Sequence, residues 1–263
     1  MVLFQRPGAA PPTPWDVGAQ EWAEVMLWLV AFIGIIWGFF LIVSYINTRK
    51  RHHLLWGASF SIMWIVFHQV IVTDKYDIMF GPYIAMMLAF IPGLLAAGLL
   101  MAVFNEKKII GNLFALAVLI MAGLIALFKF DPFGWISNAA AFEVTYNLPR
   151  VIEHVPSMLV IALHVPSAII IVVLPIYTTI KNQTRWPAIF MSIGGIVFGV
   201  VGFILTLVMS GVFEPYIPID YRYVVMALFP MFLIVSVLCF AFGTIMPAKW
   251  NFGIPGIEFE ERA

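Results

Sequence analysis

The stretch at residues 25–47, VMLWLVAFIGIIWGFFLIVSYIN, contains no charged side chain and is followed at once by Arg49, Lys50 and Arg51. A helix needs about 20 apolar residues, each adding 1.5 Å, to cross the hydrocarbon core of a bilayer. The stretch therefore predicts a membrane-spanning helix that ends in a basic turn.

The composition extends this character to the whole chain. Of 263 residues, 63% are hydrophobic and 11% are charged, and the mean hydropathy is +1.01. Soluble domains carry about 25% charged residues. The net charge is zero, so the sequence offers no basic surface for nucleic acid. We predict a multi-pass protein of the cell membrane, surrounded by the lipid bilayer.

Seven stretches are long and apolar enough to span a bilayer. They are residues 25–47, 54–73, 82–104, 109–128, 156–180, 187–212 and 223–246. The predicted fold is an all-α integral membrane protein, a seven-transmembrane helix bundle over residues 25–246. It has an extracellular segment at 1–24, a long outer loop at 129–155 and a cytoplasmic tail at 247–263. The outer loop is expected to form a structured cap with a short interfacial helix.

The orientation follows from the basic residues, which are enriched in cytoplasmic loops. Nine of the 14 lie on one predicted side of the membrane, which is therefore assigned to the cytoplasm. These nine are Arg49, Lys50, Arg51, Lys107, Lys108, Lys181, Arg185, Lys249 and Arg262. The N-terminus is predicted outside and the C-terminus inside.

Charged residues are missing from the seven predicted spans. Ion and proton pathways depend on such residues, so an ion-coupled transporter is disfavoured. Aspartyl dyads and metal-assisted hydrolysis also need carboxylates in the bundle. We predict a protein without enzymatic activity.

The seven-helix topology with an outer N-terminus resembles that of microbial rhodopsins and G-protein-coupled receptors. Retinal attachment requires a lysine that forms a Schiff base. The predicted last span, 223–246, has no lysine, and the predicted third span, 82–104, has no acidic residue. A retinal cofactor is therefore not expected.

A second resemblance rests on short motifs in the first half of the chain. The run RKRHHLLWG at 49–57 is followed by Tyr83, by GLLAAG at 93–98 and by NEKK at 105–108. This pattern is similar to prokaryotic seven-span modules, some of which precede histidine kinases as membrane sensors. The resemblance covers roughly residues 48–128. Because residues 247–263 are too short to form a kinase, it implies that a signal would pass to a partner chain.

Two histidines are the candidate cofactor-binding residues. His68 and His164 lie roughly 7 and 12 Å below the predicted outer edge of the membrane, about one helical turn apart in depth. Two such imidazoles on different helices can ligate the iron of a haem b. With His154 or Glu153 as a third donor they can hold copper or zinc. Alternatively, each forms hydrogen bonds that join helices. His52 and His53 are assigned to the basic loop.

Glycines indicate where helices approach closely. Span one contains Gly34 and Gly38, and span six contains the stripe Gly194, Gly195, Gly199 and Gly202. These surfaces predict tight packing within the bundle, against other membrane chains or in a homo-oligomer. The functions that remain are an accessory subunit of a membrane complex or a sensor acting through a partner. A histidine-ligated haem or metal protein in electron transfer and a facilitator for an uncharged solute are the alternatives.

Overall fold

The computed structural model describes residues 14–73, 82–104, 108–146, 155–181, 186–209 and 219–245. This part of the chain is helical and contains no strand, as predicted. Its helices are α1 Pro14–Thr48, α2 Arg51–Thr73, α3 Pro82–Val103, α4 Lys108–Phe130, α5 Trp135–Thr145, α6 Val155–Ile180, α7 Ile189–Met209 and α8 Ile219–Ile245. A 3-10 turn at Trp186–Ala188 precedes α7.

Five helices are long and apolar enough to cross a membrane. The stretches that meet this test are Trp22–Thr48, Arg51–Val72, Met86–Val103, Ile109–Phe130 and Met158–Ile180. They correspond to the first five predicted spans. The described apolar parts of the last two, Trp186–Val200 and Phe229–Thr244, are shorter. The structure thus supports a helical membrane protein, whereas the count of seven spans and the orientation stay predictions.

Helix α1 begins eleven residues before the predicted start of the first span. Pro14 occupies its first position. A helix leaves the N–H of this position without an internal partner, so the missing N–H of proline costs no hydrogen bond. At the other end Arg49 adopts a left-handed φ of 56°, and α2 begins at Arg51. Two residues therefore connect the first two helices. We call this the basic end of the bundle and the opposite one, where α4 leads into α5, the α5 end.

The helices form a closed ring in cross-section. Helix α1 packs against α2 and α8, α2 and α6 both pack against α3, and α7 joins α6 to α8. Helix α4 packs on α3 and α6 from outside the ring. Residues 91–100 of α3 are all buried, and they contribute to the main hydrophobic core. Apolar side chains such as Phe39 and Leu113 point away from the bundle, as expected of surfaces that face lipid.

Glycines allow the closest helix contacts. A Cβ added at Gly34 would lie 2.9 Å from the carbonyl oxygen of Phe60, so α1 and α2 meet backbone to backbone. In α7, Gly194 packs closely against the backbone of α8, and Gly195 packs against side chains of α6. Gly199, by contrast, faces open space, and the side-chain surroundings of Gly202 lie outside the described residues. The predicted packing role is confirmed for α1 and for the first half of the α7 stripe.

Helix α5 lies within the predicted outer loop, and Asp131 caps it. The carboxylate accepts hydrogen bonds from the backbone N–H of Ile136 at 3.0 Å and of Ser137 at 2.9 Å, and from the Ser137 hydroxyl at 2.6 Å. These bonds satisfy amide groups that have no partner within the helix. The Ser137 hydroxyl, followed by its backbone amide, holds the pKa of Asp131 below its usual range. The short helix is as expected, and its position at a membrane interface stays a prediction.

Candidate functional site

His68 lies in an aromatic cluster formed by α1 and α2. Its ring meets that of Trp28 edge-on, with centroids 5.7 Å apart, and tilts against that of Trp64 at 5.5 Å. Trp28 in turn stacks on Phe32 at 5.7 Å. All three rings of the Trp28–Trp64–His68 cluster are half-buried. The imidazole is thus placed on the side of α2 that faces α1.

The sequence sets this arrangement through helical spacing. Trp64 and His68 are four residues apart, so they share one face of α2. The close approach of Gly34 to the backbone of Trp64 fixes the antiparallel register of the two helices. Trp28 lies about two turns from Gly34 toward the α5 end, which brings it opposite His68.

The nitrogen atoms of this cluster have a distinctive environment. Trp28, Trp64 and His68 form ring contacts but no hydrogen bond with any of the described residues. Two other tryptophans on the same helices differ. The indole N–H of Trp37 donates to the carbonyl of Ala241 at 3.1 Å, and that of Trp56 donates to the carbonyl of Leu95 at 3.2 Å. The indoles of Trp37 and Trp56 are therefore paired with backbone carbonyls, whereas those of Trp28 and Trp64, nearer the α5 end, have no hydrogen-bond partner among the described residues.

His164 on α6 is held by its own helix. Its Nδ1 lies 2.9 Å from the carbonyl oxygen of Val160. A carbonyl only accepts, so Nδ1 carries the proton and the neutral imidazole keeps its lone pair on Nε2. The ring is half-buried, and among the described residues Nε2 has no hydrogen-bond partner. Histidines that ligate metals commonly use this pattern, with one nitrogen bound to a carbonyl and the other free for the metal.

The two predicted cofactor ligands have separate surroundings. His68 contacts rings on α1 and α2, whereas His164 forms its hydrogen bond within α6, and α3 packs against both α2 and α6. His154 lies outside the described residues. Across the part of the chain that the structure describes, no group of three or more histidine, cysteine or acidic side chains is suited to a metal ion. A cofactor shared by His68 and His164 stays a prediction.

A second polar cluster lies at the basic end. His52 and His53 occupy the first turn of α2 and are buried, with ring centroids 4.4 Å apart. The ring of His52 also meets that of Trp56 at 5.0 Å. The sequence had placed both histidines in a basic loop. That assignment was wrong because α2 begins at Arg51 and the connection is only two residues long.

The hydroxyl of Thr48 fixes the protonation of His53. It donates its proton to the carbonyl of Ser44 at 2.7 Å, so its oxygen acts as the acceptor for His53 Nδ1 at 3.1 Å. His53 therefore carries a proton on Nδ1. Lys50 in the connection also donates its backbone N–H to this oxygen at 3.3 Å, and burial lowers the pKa of its ammonium group. The turn between α1 and α2 is thereby tied to the bundle.

Two side chains of α2 donate hydrogen bonds to backbone carbonyls of α3 on either side of Pro92. The Ser59 hydroxyl donates to the carbonyl of Ile91 at 2.9 Å, and the Trp56 indole donates to that of Leu95. Trp56 reaches this carbonyl because Gly98 leaves room for its ring: a Cβ at Gly98 would lie 2.3 Å from Nε1. The proline is therefore flanked by fixed contacts.

The sequence predicted His68 and His164 as site residues but not the tryptophans around His68. The available signal was spacing, since Trp64 precedes His68 and His52 precedes Trp56 by four residues, one turn of a helix. Pairing of these rings across helices could not be predicted, because it requires knowledge of the register between α1 and α2.

Comparison with protein-family models, with curated proteins and with solved structures finds no match for this chain. The resemblance to seven-span sensor modules and the expected absence of retinal therefore stay predictions.

Proposed function

We propose that this chain is a non-catalytic, multi-pass membrane protein that acts through a partner chain, as an accessory subunit of a membrane complex or as a sensor. The observation that carries the proposal is the use of polar side chains inside the bundle. Four of them form hydrogen bonds between helices, a role that favours packing over chemistry. The donors and acceptors are Trp37 to Ala241, Trp56 to Leu95, Ser59 to Ile91 and Ser192 to Val172.

The positions of charged residues also support a role without chemistry in the membrane. Within the five stretches long enough to span a membrane, the charged side chains are Glu24, Arg51 and Lys129. Each lies within three residues of an end of its span. A buried ion or proton pathway would require charges deeper in the bundle.

Helix α4 offers the surface for a partner. It packs only on α3 and α6 among its main contacts and is the least buried of the five span-length helices. Its outer face exposes Leu113, Leu116 and Ile120. We place the contact with another membrane chain, or with a second copy, on this face.

Photo-crosslinking in intact membranes tests this placement. A photoreactive residue at Leu116, which is exposed, should give a protein adduct of defined mass, whereas the same residue at Val118, which is buried, should not. Adducts with lipid alone at Leu116 would contradict a partner on α4. Solute transport or hydrolysis by the purified chain in proteoliposomes would contradict the proposal as a whole.

The state of His164 favours one second candidate, a haem protein in electron transfer. Its Nδ1–H is engaged by Val160, and Nε2 is left as a potential axial ligand for haem b. Protein produced with added haem should then show a Soret band that His164→Ala removes. The variant His164→Gln, which keeps a polar side chain but is a poor iron ligand, should remove it as well. A colourless wild-type protein would end this candidate. The facilitator of an uncharged solute has no structural observation in its favour.

A further inference from the structure

The Trp28–Trp64–His68 cluster contains unpaired hydrogen-bond donors. Each indole carries one N–H and a neutral imidazole carries another. None of the three meets an acceptor among the described residues, although the rings of Trp28 and Trp64 each lie within 5.7 Å of the His68 ring. Three donors without acceptors are therefore grouped on one side of the α1–α2 pair.

Such donors favour binding an acceptor from outside the chain. An N–H removed from water without a partner is unfavourable, and the hydrocarbon core of a membrane supplies none. Trp37 and Trp56 avoid this by donating to backbone carbonyls. No carbonyl of the described residues accepts a hydrogen bond from the cluster, and its side chains are only half-buried, so an external oxygen can reach it.

The surroundings indicate a lipid as the source of that oxygen. Leu29, Phe32 and Val72, on the same two helices, are 45%, 54% and 62% exposed, as side chains facing acyl chains are. His68 lies five residues from the end of α2, or about 7.5 Å along the helix axis. The ester oxygens at the edge of the hydrocarbon core are therefore the nearest acceptors that a lipid can bring to the cluster.

We propose that the Trp28–Trp64–His68 cluster binds one glycerophospholipid. A phosphate or ester oxygen of the lipid accepts hydrogen bonds from the ring N–H groups, and an acyl chain lies along Phe32. Binding needs no charged side chain, in agreement with the residues present. This site does not depend on whether the chain acts as a subunit or a sensor, but it uses His68, which would then not serve with His164 as a haem ligand.

Native mass spectrometry with palmitoyl-oleoyl-phosphatidylglycerol tests the site in detergent. The wild type should retain one lipid in a saturable manner. The variant Trp28→Phe/Trp64→Phe/His68→Phe keeps three aromatic rings but removes the donors, and it should bind about two- to tenfold more weakly for each donor lost. Trp56→Phe is the matched control, because it removes an indole N–H that is already paired within the protein, and it should bind as the wild type does.

A second measurement needs no folded triple variant. In ¹⁵N spectra of the wild type, assigned with Trp28→Phe and Trp64→Phe, added phospholipid should shift the indole signals of these two residues but leave that of Trp56 in place. Unchanged Trp28 and Trp64 signals at saturating lipid would overturn the proposal. Equal lipid binding by the triple variant, or the same shifts with inorganic phosphate alone, would also overturn it.

Discussion

Gly98→Ala should destabilise the protein by displacing Trp56. The added Cβ would lie 2.3 Å from Nε1 and 2.5 Å from Cδ1 of the indole, more than 1 Å closer than ordinary contact at about 3.5 Å. Trp56 is fully buried and its ring also meets those of His52 and His53, so it has no free space to enter. A shift of 1 Å would lengthen its 3.2 Å bond to Leu95 beyond hydrogen-bonding distance.

The magnitude follows from three terms. Overpacking of a core costs typically about 1–3 kcal/mol. Loss of a buried hydrogen bond adds about 1 kcal/mol. The better helix propensity of alanine stabilises the helix by about 1 kcal/mol and offsets part of this loss. The expected net loss in the free energy of unfolding is about 1–3 kcal/mol for Gly98→Ala.

The matched control is Gly123→Ala in α4. A Cβ there meets nothing within 4 Å, so only the propensity gain of about 1 kcal/mol remains. Unfolding by sodium dodecyl sulfate in mixed micelles, followed by circular dichroism, gives both free energies. If Gly98→Ala is as stable as Gly123→Ala, the close contact of the Trp56 ring with Gly98 of α3 is contradicted.

A double-mutant cycle separates the clash from other effects. In a Trp56→Ala background the indole is gone, so Gly98→Ala should behave like Gly123→Ala. The coupling energy between positions 56 and 98 should then be about 2–4 kcal/mol, well above the values for sites that do not touch. If the two losses in unfolding free energy simply add, the effect of Gly98→Ala does not come from a clash with the Trp56 ring.

Three further predictions concern single hydrogen bonds. Ser59→Ala, which removes the donor to Ile91, should lower the unfolding free energy by about 0.6–1.5 kcal/mol in the same micelle assay; no change would mean that the bond adds nothing. Thr48→Val should lower it by about 1–3 kcal/mol because His53 Nδ1–H loses its buried acceptor, whereas Thr48→Ser should stay near the wild type. The α5 cap should depend on pH: the folded pKa of Asp131 is lowered, so its bonds stabilise the turn above the ordinary aspartate pKa of about 3.9 and are lost as pH falls through the folded pKa. A carboxyl ¹³C titration would show this, and a midpoint at or above the ordinary value would contradict it.

Hydropathy predicted the helices because crossing a bilayer requires only length and apolar composition. It misplaced the start of α1, since a helix can continue beyond the apolar region and Pro14 begins this one in polar sequence. It also could not predict which helices are neighbours. A span that is apolar on all sides shows little periodicity in its polar residues, so the sequence does not indicate which side faces the other helices. The contact of α1 with α8 and the outer position of α4 are therefore seen only in the structure.

The candidate site shows the same limit at the level of side chains. The sequence correctly marked Gly34 as a close-packing position, because only a missing side chain permits that approach. It could not predict that the approach would bring Trp28 opposite His68, since this depends on the register between two helices. Likewise the sequence predicts a loop at His52 and His53, because polar residues next to basic ones are typical of loops. The turn is only two residues long, so both histidines lie in α2 and are buried.

The tryptophans of α1 and α2 divide the bundle into two parts. Toward the basic end, Trp37 ties α1 to α8 and Trp56 ties α2 to α3, each with its N–H bonded to a backbone carbonyl. Toward the α5 end, Trp28 and Trp64 lie on the same two helices, and their N–H groups have no hydrogen-bond partner in the part of the chain that the structure describes. Because the glycine contact between α1 and α2 lies between these parts, a ligand that bonds both outer rings would act on two helices whose other ends are already fixed. Exchange or loss of that ligand would therefore alter the packing of α1 and α2 at the α5 end, while the packing at the basic end stays the same.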